Sequence, residues 1–157
     1  MLKECLDSVR KNSPLIHNIT NYVTVNDVAN AILAMGASPI MADEKKEAAE
    51  ITSICSGLNI NIGTLNRNTI RAMFAAGKKA QSMNHKILLD PVGAGASALR
   101  TKTALSLISK INFDVIRGNI SEIKTLATGS GKTKGVDANI EDAVSESNLE
   151  AAVAFAK

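Results

Sequence analysis

The chain has 157 residues, 45% apolar and 21% charged, with a net charge of +3. That length and balance suit one domain with a core of its own. Lys and Arg are scattered, Trp is absent and only three Phe and one Tyr occur, which excludes a stacking platform for nucleic acid.

No apolar run approaches the roughly 18 residues of a membrane helix. The opening MLKECLDSVRK has no apolar stretch of the secretory kind, so a cytoplasmic setting with no membrane partner is expected. Cys5 and Cys55 stand alone, in neither CxxC nor metal-like spacing, and read as ordinary thiols.

In chain order, HNITNYVTVNDVANAILAMGASPIMA (His17 to Ala42) comes first. An apolar helix is expected with Thr24 as N-cap, Asp27 reaching back in a capping box and Gly36 as the left-handed C-terminal cap. Val28, Ala31, Ile32 and Met35 recur at helical spacing and predict one buried face. Asn26 and Asn30 share another face. So many asparagines around a helix that only had to pack suggest a second task.

A strand follows at Pro39–Ala42, then a helix over Asp43–Ser56. LNINI (58–62), KILLD (86–90) and DVIRG (114–118) start 28 residues apart, twice, which is the interval of a βα unit in a parallel sheet. Helices are expected at Asn66–Gln81, Ala98–Lys110 and Asn119–Ala127. TGSGKTKGVDAN (128–139) reads as a surface loop. The pattern predicts a single α/β domain.

Two glycine motifs invite nucleotide readings. GSGKT lacks the first glycine of a P-loop, because that position is Leu126, and it follows a helix where the motif must follow a strand. GAGASA (93–98) fits a dinucleotide pattern nominally, with Asp114 about 20 residues on. Asp114 opens a strand, however, and cannot close one beside a ribose.

The carboxyl ends of the strands are more coherent, because ligands of open α/β sheets bind there. Those ends carry Met41, Gly63 and Thr64, Asp90 with Gly93 and Gly95, and Arg117-Gly118-Asn119. Asp90 and Glu122 suit Mg²⁺, which takes carboxylate and phosphate oxygens. Arg117 offers a fork for phosphate, and the helix starting at Asn119 presents free N–H groups. Asn119 with Glu122 is equally a capping box, and Asp90 before Pro91 equally starts a turn. Their convergence on one sheet edge favours a phosphoryl-handling site. His17 reads as a hydrogen-bonded structural residue and His85 as a solvated one.

HNITNYVTVNDVANAILAMGASPIM, LNINIGTL, LLDPVGAGAS and RGNISEI, in this order and spacing, resemble the hydroxyethylthiazole kinases, ribokinase-like proteins of thiamine salvage. The resemblance implies a ribokinase-like fold, a parallel-type sheet with helices on both faces. It implies Mg²⁺-dependent transfer of the ATP γ-phosphoryl group to the hydroxyl of 4-methyl-5-(2-hydroxyethyl)thiazole, and a homotrimer with sites at subunit interfaces. Asn21, Val23, Met41 and Gly63 match substrate contacts, Arg117 an ATP contact, and Asp90 and Glu122 the magnesium-associated acids.

The family's Gly-Thr-Gly-Cys loop, an anion hole with a cysteine near the accepting hydroxyl, has no counterpart here. SESNLEAAVAFAK begins a capped helical pattern and reaches Lys157 without a C-cap, so a domain incomplete at its C-terminus is expected. The alternatives are a non-catalytic chain that keeps only the substrate-binding or oligomer surface and, more distantly, a nicotinamide-binding protein.

Overall fold

A computed structural model describes residues 1–129, 150 and 153–154. The expectations for the loop at 128–139 and for the helical pattern from Ser145 fall mostly outside those residues. The order is α1 (Leu2–Asn12), β1 (Leu15–Ile19), α2 (Val25–Met35), β2 (Ser38–Met41), α3 (Ala48–Ile54) and β3 (Gly57–Asn61). Then come α4 (Arg67–Ser82), β4 (Lys86–Asp90), α5 (Ala98–Ile108), β5 (Val115–Ile116) and α6 (Ile120–Thr128).

All strand pairs are parallel and the sheet order is β2-β1-β3-β4-β5. From β1 the chain steps one way to β2 and the other way to β3, so the topological switch point lies between β1 and β3. A crevice opens at such a point, outside the carboxyl ends of the strands.

One sheet face is a continuous apolar layer. Ile19, Leu58, Ile60, Ile87 and Leu89 pack under Ala48 of α3, Ala72, Met73 and Ala76 of α4, and Ala104 and Leu107 of α5. The small alanines let α4 lie close to the strands, and Gly77 makes room for the Ile111 side chain after α5, which a Cβ there would overlap. The opposite face holds Ile16, Asn18, Asn59, Leu88 and Asp90, with α1 and α2 along it.

Three expectations are corrected. The segment before α2 is a strand from Leu15 to Ile19, which sequence reading missed because His17 and Asn18 interrupt its apolar pattern. The predicted buried face of α2 is not buried. Val28 and Ile32 are half-buried, Ala31 and Met35 are exposed, and all four line an open groove between α1, α2 and the sheet. The expected capping box is absent too: Thr24 sits at the N-cap, yet its side chain caps nothing. Its hydroxyl donates instead to Asn21 Oδ1 at 3.2 Å, while Gly36 is left-handed as expected, with φ 95°.

Candidate active site

The crevice at the switch point is a cavity of about 670 Å³ whose lining includes Asn21, Asn61, Gly63, Asp90, Arg117 and Glu122. Asn21 follows β1 directly and shapes the entry to α2. Its Oδ1 accepts the N–H groups of Val23 at 3.0 Å and Thr24 at 3.1 Å. Those donors fix the amide orientation, so its Nδ2 faces Asn61 Oδ1, 3.1 Å away.

Asn61 ends β3. Its Oδ1 also accepts the Gly63 N–H at 2.9 Å, and its Nδ2 donates to Asp90 Oδ2 at 3.1 Å. Strand register makes this last contact possible, because Asn61 pairs with Asp90 across β3 and β4. Asp90 Oδ2 also takes Arg117 Nη2 in a short ion pair. The carboxylate is 8% exposed and the guanidinium 73%, so the acid is fixed while the arginine reaches into solvent.

Glu122 lies in the first turn of α6 and is 3% exposed. Its two oxygens take the N–H groups of Gly93 at 2.7 Å and Asn119 at 2.9 Å, tying the glycine loop after β4 to the start of α6. Burial pushes its carboxyl above the ordinary 4.5, against those two hydrogen bonds, with Asp90 adding to the rise and Arg117 opposing it. The Asn119 and Glu122 capping box is present as well, so one carboxylate both caps the helix and lines the cavity.

Of the residues singled out from sequence, Asn21, Val23, Gly63, Asp90, Arg117 and Glu122 converge on this cavity. Val23 stands at its mouth, 88% exposed. Met41 does not line it; the register sets Met41 opposite Asn18 on the edge strand, 37% exposed. Asp114 lies at the far end of the sheet, bound to Lys86 Nζ at 2.6 Å and the Ile87 N–H at 2.9 Å, so it cannot serve a dinucleotide at Gly93. His17 is buried and hydrogen-bonded as expected.

Sequence reading missed Asn61 and Arg100. Arg100 Nη2 donates to the Gly63 carbonyl at 2.6 Å, and its guanidinium covers Gly93, where any Cβ would overlap it. Gly93 also has φ +72°, a backbone conformation that favours glycine. Asn61 was visible as a polar residue inside an apolar strand. Arg100 carried no signal, because its hydrogen-bond partner, the Gly63 carbonyl, lies on a loop 37 residues away.

Could these residues hold a magnesium ion? Among the described residues no cluster of three or more His, Cys, Asp or Glu exists. Mg²⁺ bound with phosphates needs only one or two carboxylates, and Asp90 and Glu122 share the cavity with lone pairs to spare. The donor set fits.

An open parallel sheet with two guanidinium groups, two carboxylates and glycine loops at its switch point defines an α/β protein with a small-ligand site suited to anions. The chain belongs to the hydroxyethylthiazole kinase family, whose profile matches residues 6–157. It is 64% identical over its whole length to a hydroxyethylthiazole kinase of Clostridium acetobutylicum, of which it covers 58%. A second, from Ruminiclostridium cellulolyticum, is 56% identical over 96% of this chain and 55% of its own. The solved structure of a hydroxyethylthiazole kinase protein from Pyrococcus horikoshii OT3 superposes with a TM-score of 0.76 at 46% identity. It covers 78% of this chain, which in turn covers 48% of it. The chain thus spans about half the length of the curated relatives it matches.

Proposed function

We propose that the chain takes part in phosphoryl transfer from ATP to the hydroxyl of hydroxyethylthiazole, with Mg²⁺, in a cytoplasmic setting. The observation that carries this reading is the hydrogen-bonded line from Asn21 through Asn61 and Asp90 to Arg117. It joins the loop after β1 to the start of α6 across one cavity. Asn21, Val23 and Gly63 form the alcohol end; Met41, outside this cavity on the edge strand, is a substrate contact only by the family resemblance. Asp90, Glu122, Arg100 and Arg117 form the phosphate end.

In such a reaction the protein contributes mainly position and electrostatics. Arg117, pinned to Asp90 yet largely exposed, is free to swing its fork onto a phosphate. Arg100 adds a second positive charge beside Gly63, where alcohol and phosphate ends meet. Glu122 keeps the Gly93 loop folded against α6. Asp90 and Glu122 would hold Mg²⁺, which would offset the negative charge of the phosphate groups. The family resemblance implies a homotrimer, in which a neighbouring copy would close the alcohol end beside the exposed Val23.

The test is a coupled assay of Mg·ATP with hydroxyethylthiazole on this chain, its intact mass confirmed. Binding of both substrates is expected of this chain and turnover of a chain that carries the family's anion-hole loop, and Asp90→Asn should lower that turnover by at least about tenfold with the melting temperature kept. Turnover indifferent to Asp90→Asn removes that carboxylate from the mechanism. No turnover and no binding of either substrate would overturn the reading.

A further inference from the structure

Asn61 touches both ends of the cavity. Its Oδ1 accepts from the Gly63 N–H and from Asn21 at the alcohol end, and its Nδ2 donates to Asp90 at the phosphate end. The amide cannot be turned over, because the Gly63 N–H can only donate and an ionised Asp90 can only accept. Asn61 is itself buried, at 8% exposure. It lies on a strand paired with that of Asp90, so its position is set by the sheet and not by a loop.

Without that amide, the Asp90 carboxylate keeps one partner among the described residues, Arg117. A guanidinium and a carboxylate left alone settle into a two-pronged fork that uses both carboxylate oxygens. Each group would then be withdrawn from an incoming phosphate or metal. As the structure stands, Asn61 and Arg117 both meet Oδ2, which leaves Oδ1 uncommitted among the described residues.

We propose that Asn61 is a positioning residue, whose single buried amide holds Asp90 open toward a phosphoryl ligand and Gly63 against the alcohol. The inference rests on the kinase reading above and deepens it. Asn61 acts through Asp90 at one end and through Gly63 and Asn21 at the other.

A thermodynamic cycle tests it. Wild type, Asn61→Ala, Asp90→Ala and the double variant are titrated calorimetrically with Mg·ADP and, separately, with hydroxyethylthiazole. Asn61→Ala should weaken Mg·ADP binding on the order of tenfold when Asp90 is present. When residue 90 is already Ala, the further loss should stay under about twofold. Alcohol affinity should fall in both backgrounds. General loosening of the fold would weaken Mg·ADP equally in both, and that result overturns the proposal.

Asn61→Asp, of the same size, keeps the acceptor toward Gly63 and Asn21 and replaces the amide donor by a carboxyl group that competes with Asp90 for charge, and it serves if the alanine variant does not fold. Its alcohol affinity should remain within about twofold of wild type. A collapse of that affinity overturns the alcohol half of the proposal. A wild-type chain that fails to bind both ligands removes the kinase reading and this inference together. Binding of both with additive losses removes this inference alone.

Discussion

At the residue scale the cavity depends on absent atoms as much as on present ones. A Cβ at Gly63 would lie 2.9 Å from Asn21 Cβ and 3.0 Å from Asn61 Oδ1, and both neighbours are buried and hydrogen-bonded. Gly63→Ala therefore has to displace the amide pair at the alcohol end. Overpacking of this kind costs about 1–3 kcal/mol, to be read from chemical denaturation together with weaker hydroxyethylthiazole binding by calorimetry. Unchanged affinity would show that the pair yields without disturbing a ligand. Asp90, Gly63 and Arg117 were legible in the sequence because each falls just after an apolar run that could only be a strand. Asn61 and Arg100 were not, since their roles come from which strand pairs with which and where two loops meet. Met41 was assigned to the site from its place at the end of a strand and from the resemblance, and its position opposite Asn18 on the edge strand shows what a register adds.

At the element scale, local chemistry and tertiary contacts had unequal shares. β4 was readable because ILL is a continuous apolar run, and β3 because Leu58, Ile60 and Ile62 alternate with asparagines at the period of a half-buried strand. β1 was hidden, since its Asn18 belongs to a cross-strand amide pair with Asn59 at 3.1 Å, which makes a polar residue acceptable inside a sheet. α2 had the period of a buried helix but lies over an open groove, so period reports which side is apolar and not whether anything covers it. α4 is the clearest case of local control. Asn66 accepts the N–H groups of Asn68 at 2.8 Å and Thr69 at 2.9 Å, and Thr69 Oγ1 accepts the Asn66 N–H at 3.0 Å. Asn66→Ala should cost about 1 kcal/mol, measurable as a lowered denaturation midpoint with an unchanged slope. A loss well beyond that would mean the loop before α4 carries more than a cap.

At the scale of the whole molecule, His17 joins three elements at once. From β1 it meets Thr52 of α3 through Nδ1 at 2.9 Å and the Ala42 carbonyl, just past β2, through Nε2 at 2.7 Å. A carbonyl only accepts, so Nε2 carries the proton, and Nδ1 of the neutral ring competes with the Ala48 carbonyl, 2.7 Å from Thr52 Oγ1, for the one proton of that hydroxyl. Burial lowers the ring's pKa below the ordinary 6.5, with the Ala42 carbonyl and the Glu47 charge opposing it in part. A histidine with a depressed folded-state value contributes stability that is present above 6.5 and drains away as pH falls through that folded value. Glu122 has the opposite sign: its raised value contributes stability below 4.5 that is lost as pH rises through the folded one. Between those limits the two groups pull against each other, so the bare pH profile of the melting temperature cannot apportion them. The difference between wild type and His17→Gln can. The variant should melt lower at pH 7.5, and its deficit should shrink steadily toward pH 5, because the wild type alone has a ring to protonate. A deficit constant across that range would mean that His17 stays neutral while the fold persists, so that the junction of β1, β2 and α3 is held by shape and hydrogen bonds without coupling to pH.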